Sequence, residues 1–234
     1  MIKLAADLHI HSCLSPCCDD DMTPNNLVNM AYVKRLEAIA LTDHNTAKNL
    51  PAAKAVADAR GLVFLPGIEV ETREEVHVLT YFETVEQAMD FGEYIYKHLP
   101  DIENMPDFFG AQFALDENDA PIYEEKRMLL QAVTLSIEEV AAACRARGGV
   151  PVPAHINRAS NSLLYNLGFI PPDLDFASVE VYKHSPIEGV DLSPYHVIYN
   201  SDAHRLQSIS EAENHVFVRE KSAAGILAFL REKK

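Results

Sequence analysis

Lys3-Leu4-Ala5-Ala6-Asp7-Leu8-His9-Ile10-His11 is the stretch on which the fold turns. Lys3–Leu8 has the length and apolar content of a strand, and it runs directly into an HxH pair. Side chains alternate along a strand with period two. His9 and His11 can therefore reach one point while Leu8 and Ile10 pack away from it. Such a pair suits a borderline cation such as zinc, manganese or iron. In isolation the pair is better explained by chance or packing, so its meaning depends on the rest of the chain.

Beyond His11 the chain alternates regularly. Strand-like runs recur at Ala38–Leu41, Val63–Leu65, Val76–Tyr81, Val150–Pro153, Val179–Val181 and Val197–Tyr199. Helical patterns lie between many of them. Thr23-Pro24 gives an N-cap and a first-turn proline, and Thr84…Gln87 and Ser136…Glu139 read as capping boxes. Strand–helix repetition predicts a mainly parallel sheet covered by helices. Counting the first run there are seven strands, so an α/β barrel is favoured over an open sheet, although periodicity alone does not separate the two. The whole chain, 1–234, is expected to form one domain. Residues 99–125 break the rhythm with Pro, Asp, Glu, Asn and Phe, and are read as an ordered excursion or lid.

Composition narrows the class. With 234 residues, 48% of them hydrophobic, the chain can bury a sizeable core. No apolar run reaches the roughly 18 residues of a membrane span, and the N-terminus does not read as a cleavable signal, so a soluble cytoplasmic protein is expected. A net charge of −15 opposes counterion-release binding along a nucleic-acid backbone, and no extended nucleic-acid surface is expected. Cys13, Cys17, Cys18 and Cys144 form neither a disulfide framework nor a zinc-finger spacing, and are read as free thiols.

Metal-ligand residue types then fall repeatedly at strand ends. They are His44 in Thr42-Asp43-His44-Asn45, Glu69 in Gly67-Ile68-Glu69, His77 in Glu75-Val76-His77, His155 in Pro153-Ala154-His155, and Asp202 and His204 in Ser201-Asp202-Ala203-His204. Six of the ten histidines occupy such positions. In an α/β barrel the loops after the strands converge on one face, where sites are built. Packing alone does not explain that recurrence.

Asp-Leu-His-Ile-His, Thr-Asp-His-Asn, Gly-Ile-Glu and Ser-Asp-Ala-His, in that order from Asp7 to His204, resemble the motifs of the polymerase and histidinol phosphatase (PHP) phosphoesterases. The resemblance implies a distorted seven-stranded (β/α)7 TIM-like barrel holding two or three divalent ions (Zn, Mn or Fe). It places His9, His11, Glu69 and Asp202 on one ion. Glu69 bridges to a second ion held by His77 and His155, and a third position takes His44, His204 and an acid from the first loop. Here the chain departs from the family, which carries Ser-Asp-Gly soon after the HxH pair. This chain reads Ser15-Pro16-Cys17-Cys18-Asp19-Asp20-Asp21 instead. Asp19 is the expected ligand, with Asp20 and Asp21 as alternatives.

Clustered cations can clamp the attacking and leaving oxygens of a phosphate ester and acidify a bound water, so attack by a metal-bound hydroxide is the expected chemistry. Arg158 is expected to grip the phosphate and His204 to protonate the leaving group, with Arg205 second to Arg158. Asp7 and Asp43 either orient ligand imidazoles or order turns. His98, His196 and His215 read as structural, loop or surface residues, and Lys183 and His184 as marginal site candidates. The expected activity is hydrolysis of small phosphomonoesters or of nucleotide and oligonucleotide phosphoesters, so the partner is a small phosphorylated substrate, nucleotides included. The competing readings are a metal-dependent amidohydrolase and a non-catalytic metal-binding accessory module.

Overall fold

The computed structural model describes residues 1–234. Its elements are, in order, β1 (Ile2–Ile10), α1 (Pro24–Val33), β2 (Ala38–Leu41), α2 (Leu50–Arg60), β3 (Val63–Glu71), β4 (His77–Tyr81), α3 (Val85–His98), α4 (Pro106–Phe109), β5 (Gln112–Leu115), β6 (Pro121–Glu125), α5 (Ile137–Ala146), β7 (Val150–Pro153), α6 (Leu163–Asn166), β8 (Ser178–Glu180), β9 (His196–Ile198), β10 (His215–Val218) and α7 (Ala223–Arg231). The helices begin where the sequence marks them. Thr23 caps α1, and both capping boxes form, Thr84 with Gln87 on α3 and Ser136 with Glu139 on α5. No helix is long and apolar enough to cross a membrane.

Six strands make one curled sheet in the order β10-β1-β2-β3-β4-β7, and β8 and β9 form a separate parallel pair. The expected distorted, mainly parallel seven-stranded barrel is seen in part: β1, β2 and β3 are parallel neighbours in a curled sheet. However, β10, which was not among the expected strands, pairs antiparallel with β1, and the sheet departs from the expectation in two further places. First, β4 runs antiparallel to both β3 and β7. Residues 72–76 connect β3 to β4 with the Thr72 N–H donating to the Val76 carbonyl. Five residues cannot make the crossover of a dozen or more that a parallel neighbour needs. Second, no ladder joins β7 to β8. The Ala154 N–H donates to the His77 carbonyl, so by the period of two the even residues of β7 donate toward β4. The odd positions facing β8 are Pro151 and Pro153, which have no N–H to give. On the far side β9 reaches β1 only through the loop after it, at the bridge between Ile10 and Ala203.

The sheet separates two cores. Leu4, Ala6 and Leu8 of β1 join Ala38, Ala40, Leu65, Tyr81 and Val152 on the inner face, into which α7 packs Ile226, Leu227 and Leu230. The outer core lies between the sheet and its covering helices and includes Ala5, Ile10, Ile39 and Phe64. Leu8 and Ile10 are thus in opposite cores, although strict alternation would put them together. The β1–β2 register shifts between Asp7 and Ile10, and this irregularity swaps the faces of β1 at its end. His9 and His11 are turned inward by that shift. Pro66 lies inside β3, which runs on to Glu71 beyond the short run expected from sequence. A Cβ on the adjacent Gly67 would lie 2.8 Å from Thr42 Cγ2, so glycine permits the close approach of β2 and β3 that pairs His44 with Glu69.

Residues 99–125 contain α4 and the β5–β6 hairpin. They attach through Asp119 to Thr23 Oγ1 and the Asn25 N–H, through the Leu115 N–H to Asn49 Oδ1, and through Glu125 to Lys48. His196 and His215, expected in loops or on the surface, lie within β9 and β10.

Candidate metal centre

The strand ends of β1, β2, β3, β4 and β7, with the loop after β9, bring six imidazoles and two carboxylates together. His9 Nε2 and His11 Nε2 are 3.0 Å apart. Asp202 Oδ1 is 3.2 Å from the first and 3.1 Å from the second. Glu69 lies opposite, with Oε1 3.2 Å from His9 Nε2 and Oε2 3.3 Å from His11 Nε2. His77 Nδ1 and His155 Nε2 approach Oε1 at 3.0 and 3.2 Å, and His44 Nδ1 approaches Oε2 at 3.2 Å. On the remaining side, the His11 ring lies 4.5 Å from those of both His44 and His204. His9, His11, His44, Glu69 and His155 are buried.

This donor set fits divalent cations. Five imidazole nitrogens crowd one carboxylate, more than its roughly four lone pairs can accept as hydrogen bonds. His44 Nδ1 is close to Glu69 yet makes no hydrogen bond, a buried polar atom without a partner. Donors bound tetrahedrally at 2.0–2.1 Å from zinc lie about 3.3 Å from one another, close to the spacings within the His9, His11, Glu69 and Asp202 group. His9, moreover, presents Nδ1 to Glu180, 3.1 and 3.0 Å from its two oxygens, which assigns the proton to Nδ1 and a lone pair to Nε2. His204 points Nδ1 at the Asp202 carbonyl, 2.9 Å away, and so also keeps an Nε2 lone pair.

Without cations the cluster stores protons. Burial opposes charge on His9, but the carboxylates of Glu180, Glu69 and Asp202 outweigh it and hold the imidazole well above its ordinary range. The same opposition, won by Asp202 and Glu69, pushes His11 up to about 10, and Glu69 pushes His77 up to about 9. In His155 burial wins and the pKa falls. Burial would raise Glu69, yet the surrounding imidazoles, His77 and His9 foremost, hold it well below the usual carboxylate range. Asp202 is lowered in the same way, chiefly by His9 and His11.

Arg158 pairs with Asp202 Oδ2, leaving Oδ1 to the two histidines, and its guanidinium lies 5.0 Å from the Tyr182 ring centroid. It is the cationic side chain at the rim. Several other candidates fall elsewhere. Asp19 is half exposed and lies 3.5 Å from Arg205. His184 is exposed against Tyr182, and Lys183 reaches Asn214. Asp7 and Asp43 order loops: Asp7 accepts from Ser201 and Ser210, and Asp43 from the Ser12 N–H and from the Ser12 and Ser15 hydroxyls. Through Ser15 Oγ, 3.4 Å from His11 Nδ1, Asp43 also bears indirectly on His11.

Glu180 is the residue that sequence reasoning passed over. It is buried, and besides His9 it accepts from the His155 N–H at 2.8 Å and from Asn200 Nδ2 at 2.6 Å. Its signal was a lone carboxylate between Val179 and Val181 in a run read as a strand.

A family profile described as PHP domain matches residues 7–158. Among curated proteins, 5'-3' exoribonuclease Rnm of Salmonella typhimurium is 36% identical over 78 residues, covering 31% of this chain and 26% of the relative. A 3',5'-nucleoside bisphosphate phosphatase of Chromobacterium violaceum is 38% identical over 76 residues, again covering 31% and 26%. The matched stretch therefore spans about a quarter of the length of these relatives. Among solved structures, the lesion-specific endonuclease Q of Pyrococcus furiosus superposes with a TM-score of 0.65 at 18% identity, over 98% of this chain and 56% of that one. A Bifidobacterium adolescentis protein described as a metal-dependent phosphoesterase gives 0.62 at 19% identity, over 96% and 95%. At these identities the structural likeness is one of fold.

Proposed function

Because the chain belongs to the PHP domain family, we propose that it is a metal-dependent phosphoesterase acting on small phosphomonoesters or on phosphoesters of nucleotides and oligonucleotide ends. The observation that carries this reading is the convergence of His9, His11, Glu69 and Asp202 within 3.0–3.3 Å contacts, with Arg158 beside them.

His9, His11, Glu69 and Asp202 would hold one cation, Glu69 with His77 and His155 a second, and His44 with His204 contribute to a third position. Cations there would polarise a phosphoryl oxygen and lower the pKa of a coordinated water. The chain's own residues do the rest. Glu69 offers two oxygens and so can serve two ions. Glu180 fixes the His9 tautomer, and Arg158 presents a fork of donors that matches two phosphate oxygens. His204 commits its Nδ1 proton to the Asp202 carbonyl, which favours a ligand role over that of proton donor. A net charge of −15 and one arginine beside the cluster suit a single terminal phosphate better than contact along a nucleic-acid backbone.

The test is hydrolysis of p-nitrophenyl phosphate, a nucleoside 3',5'-bisphosphate and a short 5'-phosphorylated oligonucleotide by protein stripped with chelator and reloaded with zinc, manganese or iron. Turnover that returns only on reloading supports the proposal. No turnover of any of the three with any metal refutes it.

A further inference from the structure

The loop after β1 exposes Asp19, Asp20 and Asp21, and none of them joins the ligand groups around His44 and His204. Its folding shows why. Ser12 and Ser15 are tied to Asp43, Leu14 is fully buried, and a chain of tight turns comes next: Ser15 N–H to the Ser12 carbonyl, Cys18 N–H to Ser15, and Met22 N–H to Asp19. The Asp19 N–H donates to the His204 carbonyl at 3.1 Å, so the backbone at Asp19 lies against His204 while its side chain points out toward Arg205. The side chains left facing His204 are sulfurs. Cys17 Sγ, Cys18 Sγ and a His204 nitrogen lie within 4.8 Å of one another, and His11, His44 and His204 form an adjoining group on the same criterion. His204 belongs to both groups, so the Cys17 sulfur adjoins the His11–His44–His204 side of the cluster. Cys17 remains open to solvent, so an ion can reach it.

We propose that Cys17 supplies a thiolate ligand, together with His44 and His204, to a divalent cation at the third position of the cluster. The inference rests on the metal-centre reading and replaces its loop carboxylate with sulfur. On binding, the Cys17 thiol proton passes to solvent and the sulfur bonds to the ion. A thiolate with two imidazoles is a softer donor set than the carboxylate-rich positions beside it. This third position should therefore prefer zinc to manganese or magnesium, which favour oxygen ligands. Cys18 is partly buried and packs against the outer core.

Two measurements decide the matter. X-ray absorption at the zinc edge of the loaded protein should show a sulfur scatterer at about 2.3 Å beside nitrogen and oxygen. Cobalt-loaded protein should show a thiolate-to-metal charge-transfer band that is lost in Cys17→Ser and kept in Cys13→Ala, each checked for folding by circular dichroism. Zinc bound through nitrogen and oxygen alone overturns the proposal and leaves the metal centre standing. A band lost in Cys18→Ser but kept in Cys17→Ser also overturns it. A protein that binds no metal at all overturns the metal-centre reading, and this inference with it.

Discussion

Replacing Glu180 by glutamine changes one atom pair and removes one buried charge. The carboxylate accepts three hydrogen bonds, from His9 Nδ1, the His155 N–H and Asn200 Nδ2, all within a buried pocket. The amide keeps the shape but has one accepting oxygen, so at least one donor is left facing an NH2 group. That costs about 1–3 kcal/mol of folding stability. The effect on the site differs in kind. Glu180 is the leading carboxylate that makes His9 basic, and it holds the proton on Nδ1 so that Nε2 can ligate. Loss of such a partner lowers metal affinity by about 10–100-fold, or about 1.4–2.8 kcal/mol. Competition against a chromophoric chelator measures the affinity, and urea unfolding of stripped protein measures the stability. If Glu180→Gln lowers stability but leaves metal affinity within about twofold of the parent, Glu180 is only a structural acceptor and the reasoning about His9 fails.

The same geometry makes three further outcomes testable. His11 and His77 have folded pKa values of about 10 and about 9, above the ordinary 6.5, so their contribution to the metal-free protein is complete below pH 6.5 and disappears as pH rises through 9 and then 10. Thermal unfolding of stripped protein should show that decline and loaded protein should not; a flat profile from pH 6.5 to 10 in stripped protein contradicts it. Arg158→Ala should lower kcat/KM for a phosphomonoester by about 10–150-fold, the loss of a charge-assisted contact, with metal content unchanged by elemental analysis. Tyr81 is buried and its hydroxyl donates to the Leu8 carbonyl at 2.6 Å, just before the HxH pair. Tyr81→Phe should therefore cost about 1–3 kcal/mol in urea unfolding, and a change below about 0.5 kcal/mol would show that this bond does not hold the end of β1.

Residue type at strand ends was legible in the sequence. His9, His11, Glu69 and Asp202 could be picked out because each is a ligand type placed where a strand gives way to a loop, and the structure brings those four together. The capping boxes of α3 and α5 were legible for a similar reason, being local devices written in four residues. Long-range matters were not. Glu180 acts on His9 across 171 positions, and nothing local marks it as more than a polar residue in a strand. The open seam beside β7 was written in Val150-Pro151-Val152-Pro153, but its meaning requires knowing which edge faces β4. The inward turn of His9 and His11 depends on a register shift in β1 that leaves no compositional trace. The loop at Ser12–Met22 was the reverse case. Its acidic run drew attention to Asp19, while turn hydrogen bonds send that side chain outward and leave cysteines at His204.

The proposed mechanism turns on cations held by His9, His11, Glu69 and Asp202 in reach of a phosphate. Anomalous diffraction at the zinc or manganese edge from a loaded, phosphate-soaked crystal tests for them directly. The predicted map has an anomalous peak among those four side chains and a phosphate between that ion and Arg158. A loaded crystal with no anomalous peak there, or with its ions bound elsewhere on the protein, would contradict the mechanism.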